Sequence, residues 1–139
     1  KDLIVTAGGK NVAPGPMEDR MRAHPLVSQA VVIGDGRPFV SVLVTLDEEA
    51  LEKWKIEHSV PEHTSIRELA ASSAVLRAEI QDAVNSANEL VSHAEAIKKF
   101  HILDSDFTEE SGELTPTMKV KRNIVMDNYS RDIEALYQR

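Results

Sequence analysis

The chain has 139 residues, 42% hydrophobic and 28% charged, with 16 Lys and Arg against 23 Asp and Glu for a formal net charge of −7. That length and apolar content suit one domain with a modest core and exclude disorder throughout, while the acidic balance argues against a nucleic-acid surface, which needs a basic stripe. The absence of cysteine excludes disulfides and thiolate metal sites, and no apolar run approaches the roughly 18 residues of a transmembrane segment.

In chain order, Leu3-Ile4-Val5-Thr6 predicts a short strand that stops at Ala7-Gly8-Gly9, with Lys10-Asn11-Val12-Ala13-Pro14 following. Adjacent glycines permit positive φ or a close approach of backbone to a ligand, and a hairpin turn is the commoner use of such a pair. Gly8-Gly9-Lys10 is no P-loop, because the four-residue spacer and the following Ser or Thr are missing. Pro16 suits the first turn of a helix whose carboxylates, Glu18 and Asp19, lie near its positive end. Met17 and Met21 share a core face there, and His24-Pro25 ends the helix.

Val27 to Ile33 and Phe39 to Leu46 read as strands joined through Gly34-Asp35-Gly36-Arg37-Pro38. Val40, Val42, Val44 and Leu46 share one face, with Ser41 and Thr45 on the other. One side of the sheet is therefore expected to be fully buried and the other only partly covered. Asp47 can cap a helix running through Lys55, with Leu51 and Trp54 facing inward. Residues 59–65 read as loop, and His58 and His63, with no third ligand at helical spacing, read as surface residues and not metal ligands. Ser72 or Ser73 opens the longest helix, to about Val91, along the stripe Leu76, Ile80, Val84, Ala87 and Val91. Ile97 to Leu103 holds a third strand, Phe100-His101-Ile102-Leu103. The acidic stretches Asp47 to Glu57 and Asp104 to Glu113 read as solvated, and one helix from about Arg122 to Tyr137 closes the chain. The expected fold is α+β: a small sheet of about three main strands with flanking helices, plus a short N-terminal hairpin.

Ahead of that last helix stands Gly112-Glu113-Leu114-Thr115-Pro116-Thr117-Met118-Lys119-Val120-Lys121-Arg122. Pro116 bars helix at Thr115, and three cations in four residues follow. Lysines on a loop backed by a helix start can meet an anion with side-chain charge and free backbone N–H groups; on spacing alone they make a solvated basic helix entry just as well. Leu-Thr-Pro-Thr-Met-Lys-Val-Lys-Arg, however, resembles the last core motif of the long-chain acyl-CoA synthetases, within the adenylate-forming (AMP-binding) enzyme superfamily. Lys-Asp-Leu-Ile-Val-Thr-Ala-Gly-Gly-Lys-Asn-Val-Ala-Pro is similar to the hinge-and-glycine-loop motif that opens the C-terminal domain of the same enzymes. Met118 stands where many superfamily members carry glycine; an apolar residue there is usual in the long-chain branch. The resemblance runs from Lys1 to about Tyr137.

The resemblance implies that residues 1–139 are the mobile C-terminal lid domain of an ATP-dependent long-chain fatty acid–CoA ligase, without its large N-terminal AMP-binding domain. A start at the hinge motif, with no initiator methionine, carries the same expectation of a fragment. Lys119 would be the catalytic lysine of adenylation, offsetting the repulsion between the fatty carboxylate and the α-phosphate of ATP. Lys121 and Arg122 would steady the helix entry or add positive potential, and Lys1 and Asp2 would form the hinge. After rotation about that hinge, Gly8 and Gly9 would line the pantetheine path of coenzyme A, with Lys10 near its nucleotide end. ATP, with Mg2+ held mainly by the missing domain, and coenzyme A are the implied cofactors. The implied partners are the chain's own N-terminal domain and a fatty acid, with no metal site in this chain and no nucleic acid. The implied location is cytoplasmic, with any peripheral membrane contact made through the missing domain. The isolated domain is expected to be inert. Two other readings stay open: the lid of a related aryl-CoA or carrier-protein acyl ligase, and a stand-alone, non-catalytic binding module.

Overall fold

In this computed structural model, which describes residues 3–138, strand β4 (Val40–Leu46) is buried at every residue, and the other elements are arranged over its two faces. Lys1 and Asp2, the expected hinge pair, lie outside the described residues. Strand β3 (Val27–Ile33) pairs antiparallel with β4 in the register Val31 to Leu43, and β5 (Ile97–Ile102) pairs parallel with β4 on its other edge, giving the order β3-β4-β5. A separate two-stranded hairpin, β1 (Ile4–Val5) with β2 (Asn11–Val12), precedes them. The α+β expectation therefore holds, hairpin included.

One face of the sheet is covered by helices α1 (Pro14–Arg22), α2 (Glu48–Glu57), α3 (Ile66–Ser72) and α4 (Ala74–Asn88), whose Met17, Met21, Leu51, Trp54, Leu76 and Ile80 pack with Val42 and Val44. Asp47 Oδ2 accepts the Ala50 N–H at 2.9 Å and so starts α2, as the sequence predicts. Helix α1 begins at Pro14, two residues before the predicted start, because a proline at the first helical position forfeits no helical hydrogen bond. Helix α3 lies where the sequence reading had only the approach to a longer helix. Ser65 and Glu68 start it with a reciprocal capping box, and Ser73 Oγ then accepts the Leu76 N–H at 3.1 Å to open α4.

The second face corrects the sequence reading, which left it half covered. Val31, Ile33 and Leu43 on this side form a second core with Leu103, Phe107, Val125, Ile133 and Leu136. Ser41 and Thr45 are fully buried among them because their hydroxyls are satisfied: Ser41 Oγ donates to the Tyr137 hydroxyl at 2.7 Å, and Thr45 Oγ1 donates to Asp106 Oδ1 at 2.7 Å. The covering helix is broken in two, α5 (Arg122–Asn128) and α6 (Ser130–Leu136), at Tyr129, whose φ of −114° and ψ of 26° leave the helical region. No helix among the described residues is long and apolar enough to cross a membrane.

Backbone bonds hold the β1-β2 hairpin to this body. The Gly36 N–H donates to Val5 O and the Ala7 N–H to Arg37 O, both at 2.8 Å. A Cβ at Gly34 would stand 3.2 Å from Ile4 Cγ2, so the β3-β4 turn approaches the hairpin closely only without a side chain there.

Candidate functional site

The glycine loop and the lysine loop are two copies of one hairpin. In the first, the Thr6 N–H donates to Lys10 O at 2.9 Å, the Gly9 N–H to Thr6 O at 2.9 Å, and the Lys10 N–H to Thr6 Oγ1 at 3.1 Å. In the second, the Thr115 N–H donates to Lys119 O at 2.8 Å, the Met118 N–H to Thr115 O at 2.8 Å, and the Lys119 N–H to Thr115 Oγ1 at 3.0 Å. The residue before each lysine is left-handed, Gly9 at φ 85° and Met118 at φ 66°. This is the pattern of a three-residue loop closed by a G1 bulge, where glycine is the ordinary occupant. A left-handed side chain costs roughly 1–2 kcal/mol, which supplies a backbone reason for glycine to be common at the position of Met118. Pro116 presets the first turn residue and offsets part of that cost.

Both lysines are exposed, and their main chains are pinned on both sides while their ammonium groups are left loose. Among the described residues neither Nζ makes a hydrogen bond or an ion pair; Lys10 lies only within electrostatic reach of Glu95. Around the second loop Met118 is 61% exposed and Ile124 37%, and beside the first Leu3 is 63% exposed, so apolar side chains accompany both lysines at the surface.

The glycines differ in what demands them. A Cβ at either Gly8 or Gly9 would meet nothing within 4 Å, but only Gly9 has a φ that L-residues resist. Among the described residues nothing requires glycine at position 8.

Two buried acids support the lysine loop, and the sequence reading missed both roles. Glu113, assigned there to a solvated stretch, is 4% exposed. Ser111 Oγ donates to its Oε1 at 2.6 Å and Asn128 Nδ2 to its Oε2 at 3.2 Å, while its carbonyl accepts the Lys121 N–H at 2.7 Å. Burial pushes the Glu113 carboxyl up, but hydrogen bonds from Ser111, Tyr129, Asn128 and the Thr108 backbone outweigh it and hold the carboxyl below its ordinary range. Its stabilisation is therefore present at neutral pH and lost as the pH falls through the folded-state value. Burial, and then the bond to Glu113, push the Tyr129 hydroxyl well above its ordinary range, so Tyr129 stays a neutral donor.

Glu18, read as a first-turn carboxylate, is 6% exposed and faces Arg122 in a bidentate pair with both contacts at 2.9 Å. Glu18 Oε2 also accepts the Val32 N–H at 2.7 Å, and Arg122 Nη1 donates to Val32 O at 3.3 Å. The planar fork of arginine matches a carboxylate in a way that lysine cannot. The pair joins α1, β3 and the start of α5. Helix α1 thus links the loops: the glycine hairpin feeds its first turn, and Glu18 in its middle holds Arg122 at the end of the lysine loop. A groove of about 300 Å³ separates Lys119 from Arg22 and Gln29 there. Charge spacing alone could not reveal a partner 104 residues away.

A larger hollow of about 620 Å³ beside β5 has its polar side chains engaged within the domain: Arg67 with Asp104 at 2.7 Å, His101 Nε2 with Asp132 Oδ1 at 3.3 Å, and Arg77 over the Phe100 ring. Among the described residues no group of three or more His, Cys, Asp or Glu could hold a metal ion.

The whole chain, residues 1–139, matches the family model described as the AMP-binding enzyme C-terminal domain. It is 56% identical over 139 residues to the long-chain-fatty-acid–CoA ligase FadD15 of Mycobacterium tuberculosis, covering 100% of this chain and 23% of that protein. It is 36% identical over 154 residues to the long-chain-fatty-acid–CoA ligase ACSBG2 of Xenopus laevis, covering 99% of this chain and 21% of the relative. The chain thus spans less than a quarter of the length of these relatives. Among solved structures, the adenylation domain of a carboxylate reductase from Mycobacterium chelonae superposes with a TM-score of 0.75 at 28% identity, over 97% of this chain and 19% of that one. A Mycobacterium tuberculosis fatty acyl CoA synthetase shares the fold at a TM-score of 0.54 and 20% identity, over 94% of this chain and 20% of that one.

Proposed function

The chain belongs to the AMP-binding enzyme C-terminal domain family, and from that premise we propose that it is the mobile lid of an AMP-forming long-chain fatty acid–CoA ligase. The observation that carries the reading is the Lys119 hairpin: a cation with a fixed main chain and an uncommitted ammonium, on a domain of net charge −7. Adenylation brings a carboxylate against the α-phosphate of ATP, and a positioned point charge between these anions stabilises the crowded transition state. Lys119 supplies that charge; Glu18, Arg122 and Glu113 hold the loop from which it reaches. Magnesium accompanying the nucleotide belongs to the large domain, since the acids beside Lys119 are already bonded within this one.

Transfer of the acyl group to coenzyme A calls on the other hairpin. Rotation about Lys1 and Asp2 exchanges the lysine loop for the glycine loop at the reacting centre. Gly8 and Gly9 then let the pantetheine arm run along bare backbone, and Lys10 meets the phosphates at the nucleotide end. The identity of 56% to a long-chain-fatty-acid–CoA ligase, against 28% to a carboxylate reductase adenylation domain, favours coenzyme A as the acceptor.

Calorimetry tests the lid assignment directly. The isolated domain, with both cores complete, is expected to melt cooperatively and to show no strong site when titrated with ATP. Tight ATP binding by this domain alone would overturn it.

A further inference from the structure

We propose that Thr6 and Thr115 are matched positioning residues, each fixing the lysine that its hairpin presents to a different half-reaction. The inference rests on the lid reading above and adds to it the residues that aim the two lysines.

In both loops a single threonine holds both ends of the lysine's main chain. Its N–H binds the lysine carbonyl, at 2.9 Å for Thr6 and 2.8 Å for Thr115, and its Oγ1 accepts the lysine N–H, at 3.1 and 3.0 Å. The first bond is common to any hairpin of this type. The second exists only because the residue carries a hydroxyl. A threonine suits the task better than a flexible side chain, since branching at Cβ restricts χ1 and holds Oγ1 in place. Thr6 is 7% exposed, so its hydroxyl is sheltered, and Thr115 Oγ1 lies 3.1 Å from Thr117 Oγ1, which fixes its remaining hydrogen-bonding direction. The two loops share no other side-chain identity between threonine and lysine: Ala7-Gly8-Gly9 stands in one and Pro116-Thr117-Met118 in the other. The hydroxyl-to-lysine bond is thus the feature both loops keep while the residues between them change.

A long side chain swinging from a loosely held Cα reaches its target in fewer orientations, and small misplacements of reacting groups are costly. Removing the hydroxyl should therefore impair one half-reaction and spare the other, on kcat for Lys119, which acts at the reacting centre, and on KM for Lys10, which binds. Thr115→Val in the full-length enzyme is expected to lower kcat for adenylate formation about tenfold, the scale of one lost hydrogen bond, with KM for ATP and fatty acid unchanged. Thioester formation from supplied acyl-adenylate should stay at the parent rate. Thr6→Val should spare adenylate formation and weaken thioester formation about tenfold through a higher KM for coenzyme A, whose phosphates Lys10 meets, and Thr115→Ser and Thr6→Ser should each restore most of what was lost. A parallel loss of both half-reactions in either valine variant, or serine variants as poor as the valine ones, would make the threonines mere turn formers and overturn the proposal. Lys119→Ala run beside them separates the two claims. If it spares adenylation, the lid reading itself fails; if it abolishes adenylation while Thr115→Val does not slow it, only the positioning role fails.

Discussion

Lys119→Ala in the full-length enzyme should cut adenylate formation by about two to three orders of magnitude, the cost of deleting one preorganised charge stabiliser. The loss should fall on kcat, because the ammonium makes no bond among the described residues and, on the proposed role, would act where negative charge gathers. The same variant supplied with acyl-adenylate and coenzyme A should form thioester at close to the parent rate, since under the proposed exchange the lysine loop would then have given way to the glycine loop. The substitution lies on an exposed position whose loop is held by backbone bonds and by Thr115, so the melting temperature should not move. Equal loss in both half-reactions would point to a shared role for the loop, against an exchange of loops.

The second large effect is expected at Gly8. Neither φ nor a neighbouring atom among the described residues demands glycine there, so a side chain at Gly8 should leave the stability of the lid unchanged. If the pantetheine arm passes along this backbone, Gly8→Leu should lower acyl transfer to coenzyme A by about two orders of magnitude, as blocked approach of the thiol would, while pyrophosphate exchange continues. Gly9→Leu is the weaker experiment: its left-handed backbone adds a strain of roughly 1–2 kcal/mol, and a fall in activity could come from the turn alone. Normal thioester formation by Gly8→Leu would remove the glycine loop from the coenzyme A path.

Much of this was legible in the chain. The three sheet strands, the Asp47 cap and the methionine face of α1 follow from period, capping and turn chemistry, which act over a few residues. What escaped depends on partners distant in sequence. Ser41 and Thr45 read as a half-wet face because a hydroxyl in a strand signals exposure until Tyr137 and Asp106 arrive to bond it. Tyr129 fits a continuous helical stripe and gives no sign that its backbone leaves the helix. Glu113 read as part of a solvated stretch and Glu18 as a carboxylate near a helix's positive end, though one organises the base of the lysine loop and the other holds Arg122. The capping box at Ser65 and Glu68 was visible and overlooked. Kinship of the two loops was concealed for a different reason. Gly9 advertises a left-handed turn, whereas Met118 adopts the same conformation with a side chain that predicts nothing of the kind.

One domain is expected to offer its two lysine hairpins in turn to one reacting centre. Lysine-directed chemical footprinting of the full-length enzyme, read by mass spectrometry, tests it most directly, because both Lys10 and Lys119 are exposed and, among the described residues, unbonded. With ATP and an unreactive fatty-acid analogue, Lys119 should be shielded and Lys10 labelled. With a stable acyl-adenylate analogue and coenzyme A, Lys10 should be shielded and Lys119 labelled. Shielding of Lys119 in both states, or of both lysines together, would contradict the exchange.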